Sequence, residues 1–517
     1  MAKPITPFSI SAPGYFGLNT VDSPVDLDSK FALEANNCVI DKSGRIATRK
    51  GWIKGHLSNA DLGSASVECI GELIQNDGTA TLLCAGNGKL FKRVISTTTT
   101  LVNLTYGGGG VAPTISANNW KFCQLNGIAM FWQRGHDPLI YDPAVSTTTY
   151  RRLNEKAGTA GTVYQCNEAI SAYGRVWAAD TSSDKQTVVF SDLLTPHIWT
   201  GGTAGSLDLR QVWPSGGDEI VGLAAHNEFL FIFGKWQIIV YKGATDPATM
   251  ELSDTIVGIG CIARDTIQNS GDDVLFLSDS GVQSLRRTIQ EKSAPIVKFS
   301  KNVSDDLQEA LDQEAVASIK SGYSAVNRFY LLTLPSIQRT YCFDTRQALQ
   351  DGSSRVTVWN GVTSKAFYET ADRDFFMGRA GYCGLYSGYL DDTAEYRMTY
   401  YTTWIDFGNP IEISILKKIF MDIIGGRNQT LIIKWGFDFV PAQFSETVAL
   451  PSTASSIAEY NISEYNEAEY SGVLGVNRIS VNTAGTGRVI QIGLEGQIIG
   501  YPISVQKMDI FTKAGRI

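Results

Sequence analysis

Five basic residues gather within a short stretch near the start of the chain, Lys42, Arg45, Arg49, Lys50 and Lys54, with Trp52 among them. Guanidinium and ammonium groups at that density can meet DNA phosphates or the acidic face of a protein partner. A second set repeats every five residues: Glu459 and Tyr460, Glu464 and Tyr465, Glu469 and Tyr470. A period of five suits neither helix nor strand, so this segment reads as a long loop. Its negative, aromatic rim could contact a partner or repel DNA inside a channel. Asp372, Asp374, Asp391 and Asp392 lie close together, but glycoside hydrolysis needs two carboxylates held about 5–9 Å apart, and nothing in the sequence selects a pair. The run Gly107 to Gly110 is followed by no Gly-Lys-Ser/Thr, so it is a linker and not a phosphate loop. The eight cysteines include no C-x-x-C, and the four histidines lack ligand spacing, which points to reduced, buried thiols and to no metal or cofactor. No Ser-His-Asp or Cys-His order stands out, and the chain is expected not to be an enzyme.

With 517 residues the chain is too long for one core, and two or three domains are expected. A net charge of −8 and a pI near 5.3 argue against a broad nucleic-acid-gripping face, while leaving room for a polyanion to slide past. No apolar run is long enough for a signal peptide or a membrane span.

The residues above must be placed by short strands. Apolar runs pair across turn residues at 82–85 and 89–94, 121–125 and 128–133, 169–172 and 175–179, and 221–225 and 229–233. The same pattern returns at 274–277 and 282–285, 329–334 and 340–343, and 375–378 and 382–385. Asn126-Gly127 is a strong two-residue hairpin signal. Turns recur near Gly86, Gly135, Ser182, Gly234, Ser280, Ser336 and Gly381, a spacing of roughly 45–55 residues that fits four-stranded propeller blades. The expected architecture is all-β: a β-propeller of six or seven blades over residues 61–390, an N-terminal arm with a hairpin over 1–60, and a β-sandwich-like domain over 391–517 that packs with the arm as a platform. Residues 36–40 and 45–49 form the arm hairpin around an Asp41-Lys42-Ser43-Gly44 type I turn. Ser304 is read as the N-cap of a helix reaching about Ala317, with a helical turn over 29–36 and a flexible loop over 96–119.

The arm has a recognisable order: Gly17-Leu18-Asn19, Asp22-Ser23-Pro24, Ala35-x-Asn37 leading to Ile40, then Gly44-Arg45 and Arg49-Lys50-Gly51. It resembles the tail nozzle proteins of short-tailed bacteriophages, the tail tubular protein B-like family, in which the last motif often reads Arg-Pro-Gly. The resemblance implies a structural virion protein of the tail, assembled in the host cytoplasm. It further implies a hexameric ring below the portal and adaptor that lines and closes the channel for outgoing genomic double-stranded DNA, without sequence-specific binding, and docks fibres or tailspikes. On that reading Arg45, Arg49, Lys50 and Trp52 are a docking face, and Glu459, Tyr460, Glu464, Tyr465, Glu469 and Tyr470 line the channel or meet a partner. The alternative is a propeller that binds or cleaves glycans: a depolymerase, a sialidase-like hydrolase, or a lectin or adhesin.

Overall fold

Consecutive apolar strands joined by Gly and Asn turns fold back on themselves, giving a series of small antiparallel sheets. The computed structural model describes residues 5–115, 120–291, 298–407, 413–451 and 476–515. Within them stand seven blades. The first holds Val67–Ile74, Ala80–Gly86, Lys89–Ile95 and Thr99–Tyr106. The second holds Lys121–Leu125, Ile128–Gln133, His136–Tyr141 and Thr149–Arg152. The third runs from Glu168–Ala172 to Gly205–Asp208, and the fourth from Ile220–His226 to Glu251–Val257. The fifth has three strands, Gln268–Asn269, Val274–Ser278 and Gly281–Ser284, and the sixth runs from Lys320–Ser324 to Val356–Asn360. The seventh takes Phe367–Glu369, Phe375–Arg379 and Tyr382–Leu385 from its own stretch of chain. Its fourth strand is Ile53–Lys54, borrowed from the arm, with Ile53 opposite Leu385 and Lys54 opposite Gly384. The innermost strands of successive blades adjoin, and the seventh adjoins the first, so the ring closes.

Blades stack face to face, so both faces of a middle strand must be apolar. In Ile128–Gln133 every residue is buried. Ile128, Met130 and Trp132 pack toward Val176 and Trp199 of the third blade, while Ala129 and Phe131 pack toward Cys69 and Leu83 of the first. The two-residue period of a strand thus divides one sequence between two cores.

The remaining strands form a sandwich that uses both ends of the chain. In one sheet Ser414–Gly425 lies between Val476–Asn482 and Ile503–Ala514. Ile5–Ser11 pairs with Ile503–Ala514 in a register from Ile5 opposite Lys513 to Ser11 opposite Lys507, and the hairpin Cys38–Ile40 and Ile46–Thr48 joins further along. The second sheet extends the sixth blade: Val356–Asn360 continues into Gly17–Leu18, Phe31–Asn36, Tyr396–Thr402, Ile490–Ile498, Thr430–Phe437 and Val440–Ala449. Ile419, Met421, Val481 and Ile510 from one sheet share a core with Tyr400, Ile433 and Leu494 from the other, and with Leu332 and Val358 of the sixth blade.

Three local expectations are corrected. Residues 31–36 are a strand and not a helical turn, because Ala32 and Ala35 are buried beneath pairing to Tyr396–Thr402. Thr99–Tyr106 is the outer strand of the first blade and not a flexible loop; Leu101 and Leu104 point into its cores. Ser304 is the first residue of the helix Ser304–Asp312 and not its cap, since a 3-10 turn over Lys301–Val303 leads into it, and the helix stops short of Ala317. No described helix is long and apolar enough to cross a membrane.

Gly51 marks where the arm enters the ring. A Cβ built there would lie 1.9 Å from the carbonyl oxygen of Leu390, a backbone atom that cannot swing aside. Gly51→Ala should therefore cost about 1–3 kcal/mol through overpacking. Thermal unfolding should show a lowered midpoint, and limited proteolysis should cut near residue 50 earlier than in the parent.

Candidate functional site

The arm hairpin forms where the sequence places it. Asp41 Oδ1 accepts the backbone N–H groups of Ser43 and Arg45, and Gly44 N–H donates to the Asp41 carbonyl. The return strand then delivers Arg49 into the joint between arm, seventh blade and sandwich. Its guanidinium donates two parallel hydrogen bonds of 2.7 Å to the carboxylate of Asp391, and Nε donates to Asn37 Oδ1 at 3.0 Å. It sits 4.0 Å from the Tyr396 ring centroid and 5.3 Å from that of Trp52. Lys54 adds an ion pair with Asp392 at 3.1 Å.

This geometry corrects the expected docking face. Arg49 is 1% exposed, Arg45 5% and Trp52 3%. Trp52 donates from Nε1 to Tyr382 Oη and lies beneath Arg379. Arg45 is turned toward Asp41. Lys50 is half-buried, and its backbone N–H donates to Tyr386 Oη. Three of the four side chains are thus spent inside the molecule, where charge is tolerated because it is paired. The set Glu459, Tyr460, Glu464, Tyr465, Glu469 and Tyr470 lies outside the described residues.

A second charged centre, silent in the sequence, lies between the inner ends of the blades. Arg264, in the 3-10 turn Arg264–Thr266 that leads into the fifth blade, reaches the entries to the second and third. It donates to the carbonyl of Trp120 at 2.8 Å and to the side chain of Asn167 at 2.9 Å. Its Nε lies 2.7 Å from Asp265 and 3.8 Å from Glu168. Lys121 approaches Glu168 at 3.2 Å, and Lys320 of the sixth blade pairs with Asp265. Burial pushes the Glu168 carboxyl above its ordinary range, against the pull of Lys121 and Arg264. Burial also opposes the charge of Asp265, but Arg264 and Lys320 outweigh it and hold that carboxyl well below the usual range. Four blades, the second, third, fifth and sixth, therefore meet through one ionic cluster.

The four clustered aspartates separate. Asp391 and Asp392 serve the arm joint, whereas Asp372 and Asp374 line an open cleft of about 470 Å³ with Glu72, Lys92 and Arg93. Burial raises the Glu72 carboxyl, which accepts the backbone N–H of Ala371 at 2.7 Å. Among the described residues no group of His, Cys, Asp and Glu is arranged to hold a metal ion.

No family model matches the sequence, and no curated protein matches it. Among solved structures, the chain is similar to the extracellular domain of a protein assigned as a one-component system of B. thetaiotaomicron, at 11% identity and TM-score 0.40 over 77% of this chain and 48% of that one. It thus spans about half the length of that structure. It is similar to the WD40 propeller domain of Doa1 at 8% identity and TM-score 0.37, over 66% of this chain and 96% of that one. The WD40 domain of Neurospora crassa Pan2 gives 8% identity and TM-score 0.37, over 66% and 94%. At such TM-scores the architecture rests on the strand pairing described above.

Proposed function

We propose that this chain is a structural protein of a short phage tail, a nozzle subunit that forms a ring below the portal and adaptor and surrounds the path of outgoing DNA. The supporting observation is that several of the arm residues carrying the resemblance, Gly17, Asn19, Arg49 and Gly51, have strict structural duties. Gly17 has φ +81°, and a Cβ there would lie 2.4 Å from the Val356 carbonyl oxygen. Asn19 is buried and accepts the N–H groups of Val21 and Asp22. Arg49 and Gly51 fix the joint with the seventh blade. These positions tie the arm into the propeller and sandwich, a duty that would account for a signature made of them. A ring would then be built by heterologous contacts between copies, closed by rotation. DNA would pass a modestly acidic wall, in keeping with the net charge of −8. The chain is proposed to act without catalysis, and its docking face for adaptor, fibre or spike lies elsewhere than on Arg45, Arg49 and Trp52.

Negative-stain microscopy and mass photometry of the purified chain, alone and with its adaptor ring, test this. A ring of six with a central hole is expected in the presence of the adaptor; a protein that stays monomeric beside it overturns the reading. The cleft holding Glu72, Asp372 and Asp374 favours one rival, a glycan-acting propeller. Release of reducing ends from host polysaccharide, abolished by Glu72→Gln, would establish that rival instead.

A further inference from the structure

The outward face of the first sandwich sheet collects charge of the sign the whole chain lacks. Ser414–Gly425, Val476–Asn482, Ile503–Ala514 and Ile5–Ser11 carry five basic residues and two acidic ones, in a chain of net charge −8. Ile419, Met421 and Ile510 point into the core, so by strand alternation Lys418, Phe420, Asp422, Asp509, Phe511 and Lys513 point outward. Lys418 stands opposite Phe511, Phe420 opposite Asp509, and Asp422 between Arg478 and Lys507. Lys417 is the extra residue of a bulge between Leu416 and Lys418, and it is exposed, so two consecutive lysines serve one face. The carboxylates are taken by Arg478, 3.5 Å from both Asp422 and Asp509, and by Lys507, 2.8 Å from Asp509. Lys417, Lys418 and Lys513 have no carboxylate partner among the described residues. Phe420 and Phe511, both half-buried, stand edge to face at 5.4 Å. Lys418 and Arg478 lie over the Phe420 ring at 4.9 and 5.1 Å.

We propose that this face is a platform for single-stranded nucleic acid, which lays bases on Phe420 and Phe511 and phosphates on the cations around them. The charge selects a polyanion: three lysines are left to meet phosphates, and counterions released from the strand favour the contact. The paired aromatics select a single strand over a duplex, because only unstacked bases can lie on rings set in a flat sheet. Lys418 and Arg478 cover Phe420 in the free chain. An exposed cation–π contact is weaker than base stacking, so a base displaces them and they turn to the phosphate it brings. Lys507 and Lys513 stand on one face of one strand, roughly 20 Å apart, a span of several nucleotides. Stacking and phosphate contacts carry no base identity, so any sequence should bind. An acidic protein surface would pair with the lysines but leave the aromatic pair unused. The platform does not depend on the ring proposed above.

Fluorescence anisotropy of the full chain with a short labelled oligothymidylate tests this, beside duplex DNA of the same length and heparin. The single strand should bind roughly tenfold more tightly than the duplex, with a log–log salt slope of about −2 to −3.5. Lys417→Glu combined with Lys513→Glu should weaken binding about tenfold or more and flatten that slope. Phe420→Leu, which keeps the position apolar, should weaken it about fivefold or more and leave the slope unchanged. Photocrosslinking of an iodouracil-bearing strand to the parent protein should label peptides holding Phe420 or Phe511, a readout that needs no variant. No binding at low salt, or crosslinks confined to other peptides, would overturn the proposal. So would duplex or heparin bound as tightly as the single strand, or Phe420→Leu binding like the parent, since either would leave charge alone at work, as for an acidic protein partner.

Discussion

Arg264→Ala should lower stability by about 3–5 kcal/mol, the cost of stranding buried charge whose partner has been removed. Arg264 is 7% exposed, and its fork serves the Trp120 carbonyl, Asn167 and Asp265 while facing Glu168. Truncation would leave Glu168, which is wholly buried, with Lys121 as its remaining counter-charge. Arg264→Lys should fall between the two, since an ammonium keeps the charge but cannot reach four partners at once. The loss should also depend on pH with a defined sign. The Glu168 carboxyl is already raised by burial, and without Arg264 it rises further. The folded variant then holds a proton that the unfolded chain has released, so stability falls as pH climbs from the ordinary carboxylate range through the raised value. Unfolding midpoints for the variant should therefore be closer to the parent at pH 5 than at pH 8. A variant that matches the parent at both would mean that the cluster contributes little to joining the blades.

Arg49→Ala should be comparably severe, again about 3–5 kcal/mol, because it removes a bidentate clamp from Asp391 and empties a pocket walled by Tyr396 and Trp52. Asp391→Asn alone should cost less, and combining the two changes should add less than the sum, since both break one interaction. Chemical denaturation of the four proteins measures this coupling directly. The outcome bears on how assembly defects are interpreted. A charge reversal at Arg49 would impair any ring by unseating the arm, whereas Lys42→Glu, at an exposed position of the same hairpin, should leave the fold intact. Partner binding lost in the second protein would locate a contact; binding lost only in the first would not.

Much of the propeller was legible because its signals are local. Asn126-Gly127, Tyr173-Gly174 and Ser278 to Gly281 each turn a chain between apolar runs, and each does so in the structure. The blade repeat followed from the spacing of such turns. What escaped depends on partners distant in sequence. Ile53–Lys54 is two residues long and becomes a strand only because Leu385 and Gly384 stand beside it. Thr99–Tyr106 is threonine-rich at its start, and its two leucines carry too little pattern to outweigh that composition. The basic residues of the arm suggested a surface because charge is usually solvated; their burial is set by Asp391, more than three hundred positions away. The ionic cluster at the inner ends of the blades draws on Lys121, Glu168, Arg264, Asp265 and Lys320, which no spacing rule connects.

The pairing of Ile5–Ser11 with Ile503–Ala514 also orders events on the ribosome. Residue 5 is made about five hundred positions before its partner at residue 513. At roughly 5–20 residues per second, that wait is on the order of half a minute to two minutes. The first blades can assemble as they appear, but the seventh lacks its outer strand and the sandwich lacks an edge until the tethered arm is seated. Maturation of the subunit should therefore end in a late step within a single chain, independent of its concentration, and a nascent chain stalled before residue 503 should keep its arm open to protease while its early blades resist.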